Sequence, residues 1–439
     1  MDPNGSERRL RQIHALGMQS GPVRKILPSF RDKSLLSLLD GGRVQMDHMT
    51  SGNHLFDFAA DASDVYLSTR NNGLLTINSK GELTVWNLAL SHPEASMKAY
   101  FGKVWYEGHD HPKYEWQSSA ADDDYEPKLS LVPLILGSVK GTFYAMIFAV
   151  PLAIFGALYT SQCAHPKIRA IVKPTIEIMA AVPSVIIGFL AALWLAPIVE
   201  GRLLGFFMAM LTIPITLLIA IVIWQQLRRN RRLRVIESGY EFAVTIPLVV
   251  LGVSLAFFVS PFFETALFGG DLRQWFFDTW ELPYDQRNCI VIAFALGFAV
   301  IPIIFTISED AFSNVPHGLT AASLALGGSR WQTIWRVVLP SASPGIFAGV
   351  VIGLGRAIGE TMIVLMATGN TPVMSMSLFN GMRTLSANIA VEIPEAPVDG
   401  TLYRTLFLSA VILFLITSVL NTVAETVRHR LRKKYGQFQ

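Results

Sequence analysis

The sequence predicts an all-α polytopic membrane protein with a β-rich N-terminal domain, and three observations lead to that fold class. Of 439 residues, 51% are hydrophobic and only 16% are charged, whereas a soluble globular chain carries roughly 25% charged residues. Apolar runs of about 20 residues, each long enough to cross a hydrocarbon core, recur from Leu131 onward. Before residue 128, short alternating strands and turns rich in Gly, Asn and Asp take their place.

The N-terminal part, residues 1–127, is the predicted β-rich domain. Its stretches LSLLDGGRVQMD (36–47) and LTINSKGELTVW (75–86) each have the pattern of a strand, a glycine-centred turn and a second strand. Gly42 and Gly81 are 39 residues apart, a spacing typical of propeller blades. Because two copies cannot close a propeller, the domain is interpreted as incomplete. It is either a propeller fragment or an ordinary pair of β-hairpins.

Residues 128–439 form the predicted transmembrane domain. Its seven predicted spans are 131–159, 176–199, 205–225, 243–263, 288–308, 345–367 and 403–425. Several contain proline or glycine, which membrane helices tolerate where neighbouring helices satisfy the backbone. We therefore expect a closely packed helical bundle.

Basic residues predict the orientation, because cytoplasmic loops carry an excess of lysine and arginine. QLRRNRRLR (226–234) and RHRLRKK (428–434) each carry five basic residues, and HPKIRAIVK (165–173) carries three. If the spans alternate, all three lie on one side, which predicts a cytoplasmic C-terminus and an extracytoplasmic domain 1–127. Since no signal peptide precedes that domain, we expect a further span of about 20 residues upstream of Met1.

Composition argues against several classes of function. The net charge of +3 gives no nucleic-acid footprint, and the two cysteines, Cys163 and Cys289, provide no disulfide framework or metal motif. The sequence contains no GxxxxGK[ST] phosphate loop. We therefore expect no cofactor on this chain, and any ATP-Mg has to be bound by a partner protein. No span has the Ser-Lys, Asp-Asp or HExxH arrangement of an intramembrane enzyme.

A patterned polar segment, 309–343, separates the fifth and sixth predicted spans. TAASLALGG followed by SRWQTIWRVVLP predicts two short helices interrupted at Gly327-Gly328. We expect Gly327 to lie where two backbones approach closely, and the glycine pair to let the segment pivot. The alternative is an amphipathic helix on the membrane surface, which Trp331 and Trp335 would also suit.

This segment resembles the EAA loop of ABC importer permeases, which docks on a cytoplasmic ATPase. That motif has a pair of small residues, a glycine four positions later and an ending of the form apolar-x-Leu-Pro. The matching residues here are Ala322, Ser323, Gly327, Gly328, Leu339 and Pro340. One departure is Ala321, which stands where the motif has an acidic residue.

Three further stretches narrow the resemblance. They are LVPLILGSVKGTFYAMIFAVPLAIFGALYTS (131–161), EIMAAVPSVIIGF (177–189) and GLGRAIGETMIVLMATGN (353–370). They are similar to the phosphate importer permeases, and Met-Ile-Val at 362–364 favours the PstC-type subunit over its PstA-type sister. The resemblance covers residues 128–435 approximately, and implies the bundle of a type I, MetI-like ABC importer permease in a bacterial inner membrane. Shorter family members lack the hairpin at 205–263, whose role stays open.

The resemblance also implies function and partners. A permease of this type is a transport subunit rather than an enzyme, and forms half of the path of an ATP-driven phosphate importer. Its implied partners are a second permease subunit of the PstA type, a cytoplasmic ATPase dimer that binds ATP-Mg, an extracytoplasmic phosphate-binding protein and membrane lipid. The alternatives are a permease for another oxyanion, such as molybdate or sulfate, and a membrane-anchored sensor that uses residues 1–127. The docking segment argues against the sensor, since a sensor needs no ATPase dock.

Two charged residues interrupt the sixth predicted span. Arg356 and Glu360 are four positions apart, a spacing that puts both on one helix face, and charges at membrane depth are costly. One interpretation is an internal ion pair that locks two helices. The other, which the resemblance supports, is a substrate path in which Arg356 contacts a tetrahedral oxyanion and Glu360 weakens binding enough for release. Thr361 and Lys140 complete the predicted path residues.

Overall fold

The computed structural model describes residues 12–16, 21–119, 125–227 and 241–435. The chain separates into two compact units, Met1–Leu136 with Asn388–Ala410 and Gly137–Ala387 with Val411–Gln439. We call the first the β unit and the second the membrane unit. The arginines of QLRRNRRLR, from Arg228 to Arg234, lie outside the described residues.

The β unit contains two antiparallel sheets and a short two-stranded ladder. The strands are β1 Val23–Pro28, β2 Ser34–Leu39, β3 Arg43–His48, β4 His54–Ala59, β5 Ala62–Leu67, β6 Gly73–Asn78, β7 Leu83–Asn87, β8 Trp116–Gln117 and β9 Lys128–Leu129. Strands β1 to β4 form a four-stranded meander, β5 to β7 form a three-stranded meander, and β8 pairs with β9.

The two hairpins predicted around glycines are confirmed. Gly42 precedes β3 with a φ of +71°, and Gly81 precedes β7 with a φ of +82°, values that glycine adopts without steric cost. The first sheet has the four-stranded meander of a propeller blade, whereas the second has three strands. Leu36, Val44 and Leu74 are fully buried in one core cluster that both sheets share.

Helices make up most of the rest of the chain. They are α1 Met97–Phe101, α2 Val132–Gln162, α3 Pro166–Ala181, α4 Ser184–Leu190, α5 Ala196–Gly201, α6 Leu203–Leu227, α7 Glu241–Phe268, α8 Leu272–Trp280, α9 Cys289–Ser313, α10 His317–Ala325, α11 Arg330–Thr333, α12 Leu339–Gly359, α13 Met362–Ala367, α14 Leu385–Glu392 and α15 Thr401–Tyr435. Two π-helical segments, Ala191–Leu195 and Ile334–Val338, join α4 to α5 and α11 to α12, and Ile393–Glu395 is a 3₁₀ turn.

Seven described helical stretches have the length and composition needed to cross a membrane. They are Val132–Gln162, Ser184–Gly201, Leu203–Ile223, Thr245–Trp280, Cys289–Ser313, Arg330–Gly359 and Thr401–Leu431. The predicted number of spans is thereby confirmed. The most buried of the seven is the stretch formed by α9, because small and branched apolar residues of α2, α4, α12 and α13 join it in the largest core cluster.

The second predicted span begins later in the structure. The second was predicted at 176–199 but starts at Ser184, because α3 ends at Ala181 and Val182 adopts a ψ of +127° before Pro183. Steric clash with the proline ring disfavours a helical conformation for the preceding residue. As a result, the basic stretch HPKIRAIVK is largely helical and belongs to α3.

The sixth span, predicted at 345–367, begins earlier and ends sooner. Helical structure is continuous from Arg330 through the second π-helical segment to Gly359, and α13 is a separate helix. The polar segment also starts later than residue 309, since α9 includes Glu309 and ends at Ser313.

The hairpin at 205–263 consists of two closely packed helices. Thr212 Oγ1 of α6 donates a hydrogen bond to the Gly252 carbonyl of α7 at 2.8 Å. A Cβ atom at Gly252 would lie 2.7 Å from Thr216 Oγ1 and 3.1 Å from Ile213 Cα. Glycine at this position therefore permits the close approach of the two helices.

Candidate functional site

The predicted pair of short helices is present between α9 and α12, and we call it the α10–α11 hairpin. Helix α10 ends in a Schellman motif, in which the N–H of Gly327 donates to the Leu324 carbonyl and the N–H of Gly328 to the Ser323 carbonyl, both at 3.0 Å. These bonds satisfy carbonyl groups that the end of a helix leaves without partners. The turn between the two helices is therefore a defined structure.

Capping fixes the start of the second helix. Ser329 and Gln332 form a capping box, with each side chain bonded to the other residue's backbone N–H. The hydroxyl groups of Ser323 and Thr333 lie 2.9 Å apart and join α10 to α11. The hairpin is thus held by its own hydrogen bonds.

The two glycines of the turn have different roles. No backbone of the described chain approaches Gly327, so a close approach there to a partner's backbone stays a prediction. Gly327 has a φ of +84°, which favours glycine, but a Cβ atom there would meet nothing within 4 Å. The close approach is at Gly328 instead, where a Cβ atom would lie 2.8 Å from the Ser323 carbonyl oxygen. Position 327 requires glycine because of its positive φ, and position 328 requires glycine because it has no space for a Cβ atom.

The α10–α11 hairpin exposes apolar and small side chains. Ala322 is exposed, Leu326 is 90% exposed, and Trp331 and Trp335 are 64% and 40% exposed with their ring centroids 5.4 Å apart. The predicted residues Leu339 and Pro340 are the first two residues of α12 and are half-buried. They therefore lie within a continuous helical stretch that starts at Arg330.

A break in the helix separates Arg356 from Glu360. Arg356 lies in the last turn of α12, whereas Glu360 has extended backbone angles (φ −67°, ψ +120°) and α13 begins at Met362. The prediction that both residues share one helix face is therefore wrong. Both side chains are half-buried, and no ion pair joins them to each other or to any other described residue.

The segment 382–386 connects this break to α2. Ser386 Oγ donates a hydrogen bond to the Glu360 carbonyl at 3.2 Å, and the N–H of Leu385 donates to Ser138 Oγ at 2.9 Å. Thr361 Oγ1 donates to the Gly359 carbonyl at 3.2 Å, across the break itself. The non-helical backbone is thus bonded within the membrane unit.

Lys140 lies on the face of α2 that meets the same segment. Gly137 and Gly141, three positions before it and one after it, have no space for a Cβ atom, because the Arg383 backbone and the Met382 side chain press against them. Lys140 is only 1% exposed. The structure therefore places Lys140 and Glu360 beside one segment, 382–386.

Lys140 lies beside the thiol of Cys289, at the start of α9. No described carboxylate forms a salt bridge with it. A fully buried ammonium group without a carboxylate partner is costly. Such residues in membrane proteins commonly mark a functional site.

Part of this region has no counterpart among the residues predicted from the sequence. Within FNGMRTLSANIA (379–390), Thr384 and Ser386 are buried and Arg383 is half-buried. The available signal for a buried segment was Arg383, a basic residue in a stretch where polar and apolar residues alternate. Their role was not predictable because it depends on contacts with α2 and α12, far away in the sequence.

A second charged cluster, which we call the Glu309 clamp, joins α3 to the end of α9. Glu309 is 0% exposed, and its carboxylate accepts hydrogen bonds from Arg169, from Lys173 Nζ at 3.1 Å and from Ser313 Oγ at 3.0 Å. Lys173 also reaches Asp310 at 3.1 Å. The bonds to Asp310 and then Glu309 raise the pKa of Lys173, because both favour its charged form.

The sequence contains only an indirect signal for the clamp. The excess of basic residues predicts Arg169 and Lys173 to be loop residues that indicate the orientation of the protein. Their four-residue spacing on a helix puts them on one face, which could have suggested a shared partner. Metal binding is a separate matter: the residues described contain no group of three His, Cys, Asp or Glu side chains suited to a metal ion.

Comparison with known proteins identifies relatives. Residues 222–437 match the model of the family described as "Binding-protein-dependent transport system inner membrane component". The chain is 30% identical over 247 residues to the phosphate transport system permease protein PstC of Pasteurella multocida, covering 55% of this chain and 76% of that protein. It is 32% identical over 252 residues to PstC of Mesorhizobium japonicum, covering 55% and 75%.

A longer alignment is found with PstC of Xylella fastidiosa, at 27% identity over 312 residues, covering 71% of this chain and 77% of that protein. Among solved structures, a bacterial ABC transporter involved in the import of alginate aligns with a TM-score of 0.39 and 13% identity. That alignment covers 68% of this chain and 79% of the other.

Proposed function

Because the chain belongs to the PstC family of phosphate transport system permease proteins, we propose that it is the permease subunit of an ATP-driven importer of inorganic phosphate. It is a multi-pass membrane protein of the ABC importer class, a transport subunit rather than an enzyme, so it works with other components of such a transporter. Those components are a PstA-type permease, a cytoplasmic ATPase dimer and an extracytoplasmic phosphate-binding protein. The C-terminus is then cytoplasmic.

One observation supports the position of the substrate path: the unpaired Arg356 stands next to a break in a membrane helix. Non-helical backbone at membrane depth is tolerated where it is buried in protein or lines a water-filled cavity, and discontinuous helices often form transporter sites. The guanidinium group of Arg356 has no ion pair with a described residue. Its fixed donors match a tetrahedral oxyanion.

Two other charges adjust the strength of binding. Lys140 is enclosed by its own chain, so it acts through its electric field rather than by direct contact with phosphate. Glu360 lowers the net positive charge at the break, which keeps the anion from being trapped. Thr361, bonded across the break to Gly359, holds the local backbone in place.

The α10–α11 hairpin is the proposed ATPase dock. The exposed Ala322 and Leu326 offer a small and apolar surface, and the Schellman turn at Gly327 and Gly328 keeps the two helices in a fixed relation. The partner ATPase binds ATP-Mg, so this chain needs no nucleotide site of its own. Leu339 and Pro340 begin the helix that leads from the hairpin to Arg356.

Uptake by the complete complex tests the proposed function. The chain and its partner subunits are reconstituted in proteoliposomes with the binding protein, and radiolabelled phosphate, molybdate and sulfate are compared with and without ATP. We expect ATP-dependent uptake of phosphate. Uptake of another oxyanion in its place, or uptake that needs no ATP, contradicts the proposal.

A substitution on the hairpin tests the dock. Ala322→Arg places a bulky charge on the exposed face of α10 and should leave the protein in the membrane while abolishing co-purification with the ATPase. Asn314→Arg, an exposed position before α10, is the matched control and should retain the ATPase. Undiminished co-purification and transport by the Ala322 variant would show that the hairpin is not the dock.

A further inference from the structure

The Glu309 clamp attaches α3, a helix that buries little of its own surface, to the end of α9. None of the 16 residues of α3 is fully buried, and only Val172 and Ile176 pack partly against the main core. The carboxylate of Glu309, by contrast, is completely enclosed and carries three bonds. A buried carboxylate needs such partners, so Arg169 and Lys173 are the firm attachment of α3 to α9.

The clamp lies directly before the α10–α11 hairpin. Glu309 is one helical turn from the end of α9 at Ser313, and only three residues, Asn314 to Pro316, separate α9 from α10. Ser313 itself bonds to both Glu309 and Arg169, at 3.0 and 2.8 Å. A displacement of the hairpin therefore reaches the clamp through a very short connection.

On its other side, α3 leads towards the break at Glu360. Val182 and Pro183 alone separate α3 from α4, and α4 packs tightly on α13. A Cβ atom at Gly188 of α4 would lie 3.0 Å from Ile363 Cα. Helix α13 begins two residues after Glu360. A continuous chain of short connections and close packing thus runs from the hairpin to the break.

We propose that Glu309 is a positioning residue that keeps α3 locked to the end of α9 throughout transport, so that hairpin movement is passed to α4, α13 and the Glu360 break. This inference rests on the proposed function, because it requires an importer driven by an ATPase at the hairpin. Contiguous packing alone does not establish such coupling, so the test measures coupling directly.

The first test compares transport with ATP hydrolysis in the reconstituted complex. Glu309→Gln keeps the shape of the side chain but removes its charge, so α3 is held less firmly. We expect the amount of phosphate taken up per ATP hydrolysed to fall by about tenfold, while complex yield and ATP hydrolysis stay within about twofold of the parent. Glu309→Asp, which retains the carboxylate, should give an intermediate ratio.

Glu177→Gln is the matched control. It makes the same chemical change on α3 at an exposed glutamate without an ion pair among the described residues, and its ratio should match the parent. An unchanged ratio in an assembled Glu309→Gln complex overturns the inference. A parent complex that hydrolyses ATP but takes up no phosphate overturns the proposed function instead, and the ratio is then measured with whichever oxyanion is accepted.

A cross-linking experiment tests whether α3 stays attached to α9 during transport, even if the Glu309→Gln complex does not assemble. Lys173→Cys and Asp310→Cys, combined with Cys163→Ser to remove an exposed thiol, allow a short bifunctional reagent to tie α3 to α9 where their side chains now meet at 3.1 Å. If the lock stays closed during transport, the cross-link replaces the attachment that Lys173→Cys weakens, so cross-linked complexes take up at least as much phosphate per ATP hydrolysed as uncross-linked ones. Transport that stops on cross-linking shows that α3 has to leave α9, and overturns the proposal.

Discussion

Two combinations of arginine and glutamate in the membrane unit differ in whether they form an ion pair. Arg169 and Glu309, 140 positions apart, are bonded to each other, and the carboxylate is wholly buried. Arg356 and Glu360, four positions apart, form no ion pair with a described residue, and a helix break lies between them. Proximity in the sequence therefore does not show which arginine and glutamate form an ion pair.

The difference indicates how each combination is used. Charges that are satisfied inside the chain hold its helices together, and removing one partner leaves the other buried and unpaired. A cation without a partner at membrane depth is an unfavourable arrangement that natural proteins retain at functional sites. Arg169 and Glu309 therefore have a structural and mechanical role, whereas Arg356 and Glu360 are available to a ligand or another subunit.

The largest expected effect is that of Arg356→Gln. Loss of the guanidinium group should reduce phosphate uptake by about 10- to 100-fold, the effect of losing a hydrogen bond to a charged group, with no loss of complex yield, because Arg356 has no bond within the described chain. Arg356→Lys should restore uptake only in part, since a point charge does not reproduce the planar donors. Arg202→Gln, an exposed arginine before α6, should transport normally.

The double variant Arg356→Met with Glu360→Gln tests whether Arg356 and Glu360 lack an ion pair in the working complex as well. If the two residues formed a locking ion pair in the working complex, removing both charges would restore folding and transport. We expect uptake to stay as low as in Arg356→Gln. Transport by the double variant at the parent's rate, measured with radiolabelled phosphate, would defeat the substrate-contact role of Arg356.

Lys140 refines the comparison, because it is buried like Glu309 but, like Arg356, has no carboxylate partner among the described residues. Lys140→Met removes the charge and keeps the length of the side chain. We expect uptake to fall by about tenfold, because the transported phosphate loses about 1.4 kcal/mol of electrostatic attraction to Lys140. Thermal stability in detergent should stay equal or rise. Normal uptake with lower stability would assign Lys140 a purely structural role.

The smallest expected effect is on stability at the clamp. Arg169→Met removes one of three partners of Glu309 and leaves Lys173 and Ser313 in place, so the free energy of unfolding should fall by about 1–3 kcal/mol. Lys167→Met, at an exposed neighbour on α3, should leave the melting temperature unchanged. Equal melting temperatures for the two variants would mean that the clamp contributes no stability.

Much of the fold was predictable because hydropathy sums over many residues. The number of spans, the glycine turns at Gly42 and Gly81 and the two short helices before α12 follow from local composition. The start of α4 was also within reach, since Pro183 restricts Val182. The break at Glu360 was not, because GLGRAIGET contains no proline and is otherwise compatible with a continuous helix.

The site was predictable only where its residues are neighbours in sequence. Arg356 and Glu360 stood out because they are charges in an apolar run. The clamp and the segment 382–386 depend on contacts between helices more than 100 positions apart, and no periodicity reports such contacts. A sequence can show that a charge is unusual at its position without showing what it touches.

The unbroken helical stretch from Arg330 to Gly359 has a mechanical consequence. Its 30 residues form a rod roughly 45 Å long, with the second helix of the α10–α11 hairpin at one end and Arg356 near the other. A tilt of about 10° at the hairpin would displace the far end by roughly 8 Å. The wide π-helical turn at Ile334–Val338 is a natural bending point, so its stiffness determines how much of a tilt at the α10–α11 hairpin reaches Arg356.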